Sequence, residues 1–355
     1  MTLRDSGSVH RLRSVVTAAT GSGVMNRTSA RLGSYAFGVA LTLAMPSAAS
    51  GADSAGLESG LPAQVEAITS KLVGKIGFAA TLLDGDNPMV ALNADAAFPM
   101  ASAYKVAIAA KVLSMVDKNE TSLGQMVDIP ANTYVPSPVI ANSFIHPGVS
   151  LSVANLIEVM IVNSDNTATD NLMAVAGGSA AVTAWLREVG IAGMRVDRTT
   201  AEIAHDAYGF TIGDDASTDA EGGNDNVPDP NDPAIPALEA DPRDHTTPND
   251  MLRLLVLLDE GDILSRSSRD FLLGVMARTV TGPNRIKGLL PRDTPVAHKT
   301  GTVGGVANDV GYVTLPDGRR FAIAIFTSSS TTPPPDRDRA VAEAARTLYD
   351  FFALQ

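Results

Sequence analysis

Residues 98–105 read Phe-Pro-Met-Ala-Ser-Ala-Tyr-Lys, and Ser102 and Lys105 stand three residues apart where the pattern from Ala101 to about Val116 is helical. On a helix, residues i and i+3 share a face, so the Lys105 amine can reach the Ser102 hydroxyl. A serine hydroxyl is protonated at neutral pH and needs a base beside it before it can act as a nucleophile. Lysine serves as that base only when neutral, a state favoured by burial and by a second cation nearby. With Ser102 opening the helix, backbone N–H groups are free to stabilise an oxyanion. Among the seven lysines of the chain, only Lys105 follows a serine at this spacing.

Composition narrows what such a pair can belong to. The 355 residues are 45% hydrophobic and 19% charged, which excludes collagen, coiled coil and wholesale disorder and allows a large core. Lys+Arg 27 against Asp+Glu 39 gives a net charge of −12, which opposes nucleic acid or an anionic membrane face as partner. Without cysteine there is no disulfide framework, thiol nucleophile or thiolate metal site, and the five histidines lack metal-binding spacing. No Gly-x-Ser-x-Gly elbow occurs either, so the chemistry falls to Ser, Lys, Arg and carboxylates, with no cofactor and no metal expected.

Outward from the helix, the chain divides into an address and a domain. Residues 25–52 carry Arg27 and Arg31, an apolar run from Leu32 to Met45, then Pro46 and small residues, the layout of a secretory signal peptide. Residues 1–52 are therefore expected to be removed, with Met25 read as the start, leaving no membrane anchor and a periplasmic or secreted domain over 53–355. Leu61, Val65, Ile68 and Leu72 predict a helix over 57–75, followed by strands at Ile76–Leu83 and Met89–Leu92 joined by a turn cluster. Residues 151–175 and 180–189 read as mainly helical, with Ser164 and Asn166 at the end of a helical run over Leu151–Val162. Strands return at Val306–Leu315 and Arg320–Ser328, with a closing helix at Arg337–Phe352. Strands at both ends and helices between predict an α+β fold: one antiparallel sheet built from both termini, flanked by helices, with an all-helical insert and the active site between them. Between Asp214 and Glu239, eight acidic residues and four prolines with no Lys or Arg predict a loop without helix, an insertion at about 211–240. Its Asp225, Asp229 and Asp232 lack the spacing of a calcium loop.

Two further motifs follow in order, Ser164-Asp-Asn166 and Lys299-Thr-Gly301. Ser164 can pass a proton, and the Asn166 amide can hold a substrate carbonyl or amide. Lys299 supplies a charge, Gly301 lets a ligand approach the backbone, and the Thr302 N–H can complete an oxyanion hole with that of Ser102. Together the three motifs resemble the class A β-lactamase family, over roughly residues 57–355. Val135-Pro-Ser-Pro-Val139, Asp241-Pro-Arg-Asp-His-Thr-Thr-Pro248, His298-Lys-Thr-Gly-Thr302 and Asn308-Asp-Val-Gly311 extend the resemblance. It implies Ser102 as the acylated nucleophile, Lys105 as its base, Ser164 as proton shuttle and Asn166 as substrate amide binder. Lys299 and Thr300 would bind the substrate carboxylate, with Arg285 where some members keep an arginine against it.

One departure stands out. The family hydrolyses its acyl-enzyme with a loop glutamate in a pattern like Arg-x-Asp-Arg-x-Glu-Pro-x-Leu-Asn, and Arg195-Val-Asp-Arg-Thr-Thr-Ala-Glu-Ile-Ala204 puts Thr200 at the glutamate and Ala204 at the asparagine. Threonine is no general base near neutral pH. Glu202, or Asp206 beyond it, is the candidate replacement. The reading is an exported, monomeric serine β-lactam hydrolase acting on a small molecule. Alternatives are a D-Ala-D-Ala peptidase or esterase using the same acylation machinery, and a penicillin-binding sensor that stays acylated.

Overall fold

The computed structural model describes residues 64–85, 87, 89–212 and 233–355. The expected leader and Asp225, Asp229 and Asp232 lie outside the described residues. In chain order the principal elements are strands β1 (Lys75–Leu82) and β2 (Val90–Leu92), then helices α1 (Lys105–Asp117), α2 (Val153–Val162), α3 (Asn166–Val175), α4 (Ser179–Glu188), α5 (Thr200–Tyr208), α6 (Pro248–Glu260) and α7 (Arg266–Ala277). Strands β3 (Val296–Val303), β4 (Val306–Thr314) and β5 (Arg320–Ser328) follow, and helix α8 (Pro334–Ala353) closes the chain. The five strands form one antiparallel sheet in the order β2-β1-β5-β4-β3. The first strand therefore pairs with the last, Ala79 opposite Ala324, and the two ends of the domain meet in the sheet as the sequence leads one to expect.

Alternation along the strands explains why both faces are covered. Phe321, Ile323 and Ile325 of β5 point to one face, where they pack with Val341, Leu348 and Phe352 of α8. Ala322, Ala324 and Phe326 point to the other, against the helical insert. Each large side chain buried in this way stabilises the fold by roughly 1.5–3 kcal/mol. Helix α1 runs through the middle of the insert, and Val106, Ala107, Ile108, Ala109, Ala110, Val112 and Leu113 are all at 0% exposure. A helix apolar on every side is a central one, and its first residue, Lys105, is carried into the interior with it.

Four local features of the chain have physical causes. The helix expected over 57–75 is helical over 64–69 among its described residues, and Lys75 already belongs to β1. The stretch expected to be helical from Ala101 opens as a 3-10 turn over Ala101–Tyr104. Residues 151–175 divide into α2 and α3, because Ser164 takes φ +61° and the Asp165 side chain accepts the Ala168 N–H at 2.8 Å as the cap of a new helix. The expectation of no helix over 214–239 needs correction: Pro236–Ala240 forms a short one, with proline at the start, where a missing N–H costs nothing. Among the described residues no helix is long and apolar enough to cross a membrane.

Candidate active site

The turn carrying Ser102 is held against the edge of the sheet. Asn308 on β4, fully buried, donates from Nδ2 to Pro99 O (2.8 Å) and Met100 O (3.0 Å), while its Oδ1 accepts the Thr327 N–H (3.0 Å). Gly301 on β3 makes this approach possible, since a Cβ there would lie 2.4 Å from Met100 O and 3.0 Å from Ala103 N. Ala101, immediately before Ser102, takes φ +44°, a left-handed conformation that costs free energy for a residue with a Cβ. From the other side, Phe98 and Pro99 pair with Thr246 and His245, and the Met100 N–H donates to Asp244 O at 3.0 Å. The Ser102 turn is thus fixed by groups from three separate stretches of chain.

Lys105 follows at the first position of α1. Its Nζ donates to Ser164 O (2.8 Å), Ser164 Oγ (3.3 Å) and Asn166 Oδ1 (2.8 Å). Burial lowers its pKa to about 7, while the charges of Asp165 and Asp170 oppose the shift. Lys299, in the middle of β3 and equally buried, donates to Ser164 Oγ (3.0 Å) and Thr300 O (2.8 Å). Burial, then the positive charge of Lys105, holds Lys299 well below the usual lysine range. Two lysines distant in sequence converge on one serine hydroxyl.

The Ser-Asp-Asn segment divides its work by residue. Ser164 faces the lysines. Asp165, fully buried, turns the other way and accepts the N–H groups of Val139 (3.1 Å) and Ile140 (2.8 Å), bracing the loop over 135–139. Asn166 gives one amide hydrogen to Pro136 O at 2.9 Å. On β3, Thr300 Oγ1 meets Thr281 Oγ1 at 2.6 Å. Arg285 is buried rather than at the surface: its guanidinium reaches Asp338 Oδ1 (2.7 Å), Gly301 O and Asn308 O (both 3.0 Å) and Thr302 Oγ1 (2.8 Å). The structure therefore brings Ser164, Asn166, Lys105 and Lys299 into direct contact, sets the Ser102 turn against Gly301, and joins Arg285 to Thr302.

It does not bring Glu202 to this group. Glu202 is exposed in the first turn of α5, where its carboxylate accepts Thr199 N (2.7 Å) and Thr199 Oγ1 (3.0 Å) in a capping box. Asp206 is occupied as well, paired with Arg198 at 2.7 Å and Arg243 at 3.0 Å. Arg198 also reaches Asp244 at 2.6 Å, closing the neck of the loop. Behind Thr200 stands a carboxylate that the motif reading passed over, Asp170 on α3. Its Oδ1 accepts Thr200 N (2.7 Å) and Thr200 Oγ1 (2.6 Å), and its Oδ2 accepts Ala201 N (3.0 Å). The signal was available, because Asp170 follows Asn166 by four residues and shares its helix face. Asn308, equally missed as a brace, lies inside a quoted motif. Among the described residues no cluster of three His, Asp or Glu side chains could hold a metal ion.

A serine hydroxyl between two buried lysines, in a fold whose sheet is closed by both termini, defines the serine enzymes that react with β-lactams. A model of the beta-lactamase enzyme family matches residues 60–352. A β-lactamase of Bacteroides uniformis is 31% identical over 299 residues, which cover 80% of this chain and 89% of that protein. The extended-spectrum β-lactamase PER-1 of Pseudomonas aeruginosa is 30% identical over 304 residues, covering 82% of this chain and 87% of its own. The structure of an ancestral class A β-lactamase superposes with a TM-score of 0.69 at 31% identity, covering 82% of this chain and 99% of that one. The chain belongs to the β-lactamase enzyme family, as a class A serine enzyme.

Proposed function

We propose that the protein is an exported hydrolase that opens the β-lactam ring through an acyl-enzyme on Ser102. The convergence of Lys105 and Lys299 on Ser164 Oγ carries this reading. Neutral Lys105 takes the Ser102 proton as Oγ attacks the lactam carbonyl, and the N–H groups of Ser102 and Thr302 receive the oxyanion. The proton then passes through Ser164 to the lactam nitrogen as the C–N bond breaks. Asn166 has a second amide hydrogen for a substrate carbonyl, since only one is used on Pro136. Lys299, Thr300 and Thr302 line the place for the substrate carboxylate, with Gly301 making room for the Ser102 turn and Arg285 fixing the Thr302 hydroxyl.

Hydrolysis of a chromogenic cephalosporin tests the reading. Turnover by the native protein, and none by Ser102→Ala, is the expected result. Cleavage of a D-Ala-D-Ala peptide without reaction with the cephalosporin would favour a peptidase instead. Export rests on the basic and apolar layout of residues 25–52, and N-terminal sequencing of protein recovered outside the cytoplasm tests it.

A further inference from the structure

We propose that Thr200 and Asp170 together replace the missing loop glutamate, the Thr200 hydroxyl touching the deacylating water and Asp170 receiving the proton through it. The proposal rests on the acyl-enzyme reading above. Its basis is the direction of one hydrogen bond. Thr200 Oγ1 has a single hydrogen and two oxygen acceptors in reach, Asp170 Oδ1 at 2.6 Å and Asn166 O at 3.2 Å. The shorter contact, to a carboxylate, takes the hydrogen. The lone pairs of Oγ1 are thereby left to accept a proton from a water molecule. A threonine alone cannot serve as a base, but a threonine whose proton already points at a carboxylate can pass one on.

The surroundings fit this use. Asp170 is fixed by two backbone N–H groups, of Thr200 and Ala201, so its orientation does not depend on the hydroxyl. Thr200 Oγ1 lies against the backbone of Asn166, the residue whose side chain accepts from Lys105. Lys105 and Tyr104 are the titratable groups that face Asp170. Lys105 attracts the carboxylate electrostatically. Burial raises the Asp170 carboxyl above the ordinary aspartate range, and the hydrogen bonds from Thr200 and Ala201 oppose the rise, so the group is a better proton acceptor than a free aspartate. The two other carboxylates nearby in sequence, Glu202 and Asp206, are already bound to a helix cap and to arginines.

The water oxygen bonds to the ester carbon while one of its protons moves to Thr200 Oγ1 and the Thr200 proton moves to Asp170 Oδ1. Collapse breaks the bond between that carbon and Ser102 Oγ, and the proton held on Asp170 returns through Thr200 Oγ1 and the neutral Lys105 amine to Ser102 Oγ. Asp170 ends as a carboxylate, Lys105 ends neutral, and the product leaves as a carboxylic acid.

The test follows the Ser102 adduct by intact mass after mixing with a penicillin, measuring its formation and its decay separately. Thr200→Val, which keeps the shape and the backbone N–H, is expected to slow decay at least about tenfold with formation little changed, and Thr200→Ser to restore decay. Asp170→Asn is expected to slow decay similarly and to remove the fall in decay rate at acid pH that is expected of the native protein. Equal decay in the native protein and Thr200→Val overturns the relay, as does a native adduct that never decays. Should Asp170→Asn not fold, the Val and Ser pair still decides. Absence of any adduct on native Ser102 would overturn the acyl-enzyme reading instead, a result distinct from failure of the relay.

Discussion

Lys299 Nζ lies 3.0 Å from Ser164 Oγ. The hydroxyl is thus shared between the strand that carries Lys299 and the helix that begins at Lys105. Removing it leaves two buried amines without their common acceptor. Ser164→Ala is expected to slow acylation by about 10²–10⁴-fold, the usual loss for a proton-transfer group, while the protein stays folded. Stopped-flow measurement of adduct formation, with circular dichroism as the control for folding, checks this.

The lowered pKa of Lys105 predicts a pH dependence of acylation. With a pKa of about 7 caused by burial, the neutral base is scarce below that value and abundant above it. Acylation should rise with pH through about 7 and then level off. A profile with no inflection between pH 6 and 8 would speak against Lys105 as the base.

The same shift has a consequence for stability, with the sign set by proton counts. Between about 7, the folded value, and the ordinary 10.5, the unfolded chain holds a proton on Lys105 that the folded one does not. The penalty for burying the amine is therefore fully present below pH 7 and relieved as pH rises toward 10.5. Lys105→Met removes this contribution, so the stability advantage of the variant over the native protein should be largest near pH 6 and shrink by pH 10 in urea titrations.

Asp165 and Arg198 are two buried charged residues whose loss should damage the fold. Asp165 satisfies the N–H groups of Val139, Ile140 and Ala168, so Asp165→Ala leaves three donors without an acceptor and is expected to cost about 2–4 kcal/mol. Arg198→Ala removes the guanidinium from Asp244 Oδ2, leaving that buried carboxylate with backbone N–H donors alone, and is expected to cost about 3–5 kcal/mol. Denaturant midpoints at constant slope measure both. Arg198→Ala should also slow deacylation, because Asp244 ties the loop neck to Met100 beside the nucleophile.

The sheet and the three motifs were legible in the sequence because strand alternation and short chemical spacings are local properties. Ser102 and Lys105 share one turn, and β5 could be read to its last residue. What was not legible depends on groups that meet only after folding. The Arg285 sequence fits a surface residue as well as the buried one found, since its four partners come from β3, β4 and α8. The end of the helical run at Val162, just before Ser164, was legible, whereas the restart at Asn166 with Asp165 as its cap depends on the left-handed backbone of Ser164. Glu202 looked like a catalytic carboxylate because of its distance in sequence from Thr200; its capping box with Thr199 was equally readable as Thr-x-x-Glu at a helix start. Asp170 was missed because it lies outside the loop where the family's usual carboxylate is found, 30 residues before the threonine it holds.

The central claim is that Ser102 becomes covalently acylated, and an intact-mass spectrum taken seconds after mixing with a penicillin tests it most directly. Ring opening expels no fragment, so the native protein should gain the whole mass of the drug, located on the peptide containing Ser102, and Ser102→Ala should gain nothing. An unmodified native protein, or an adduct that persists in Ser102→Ala, would contradict the account.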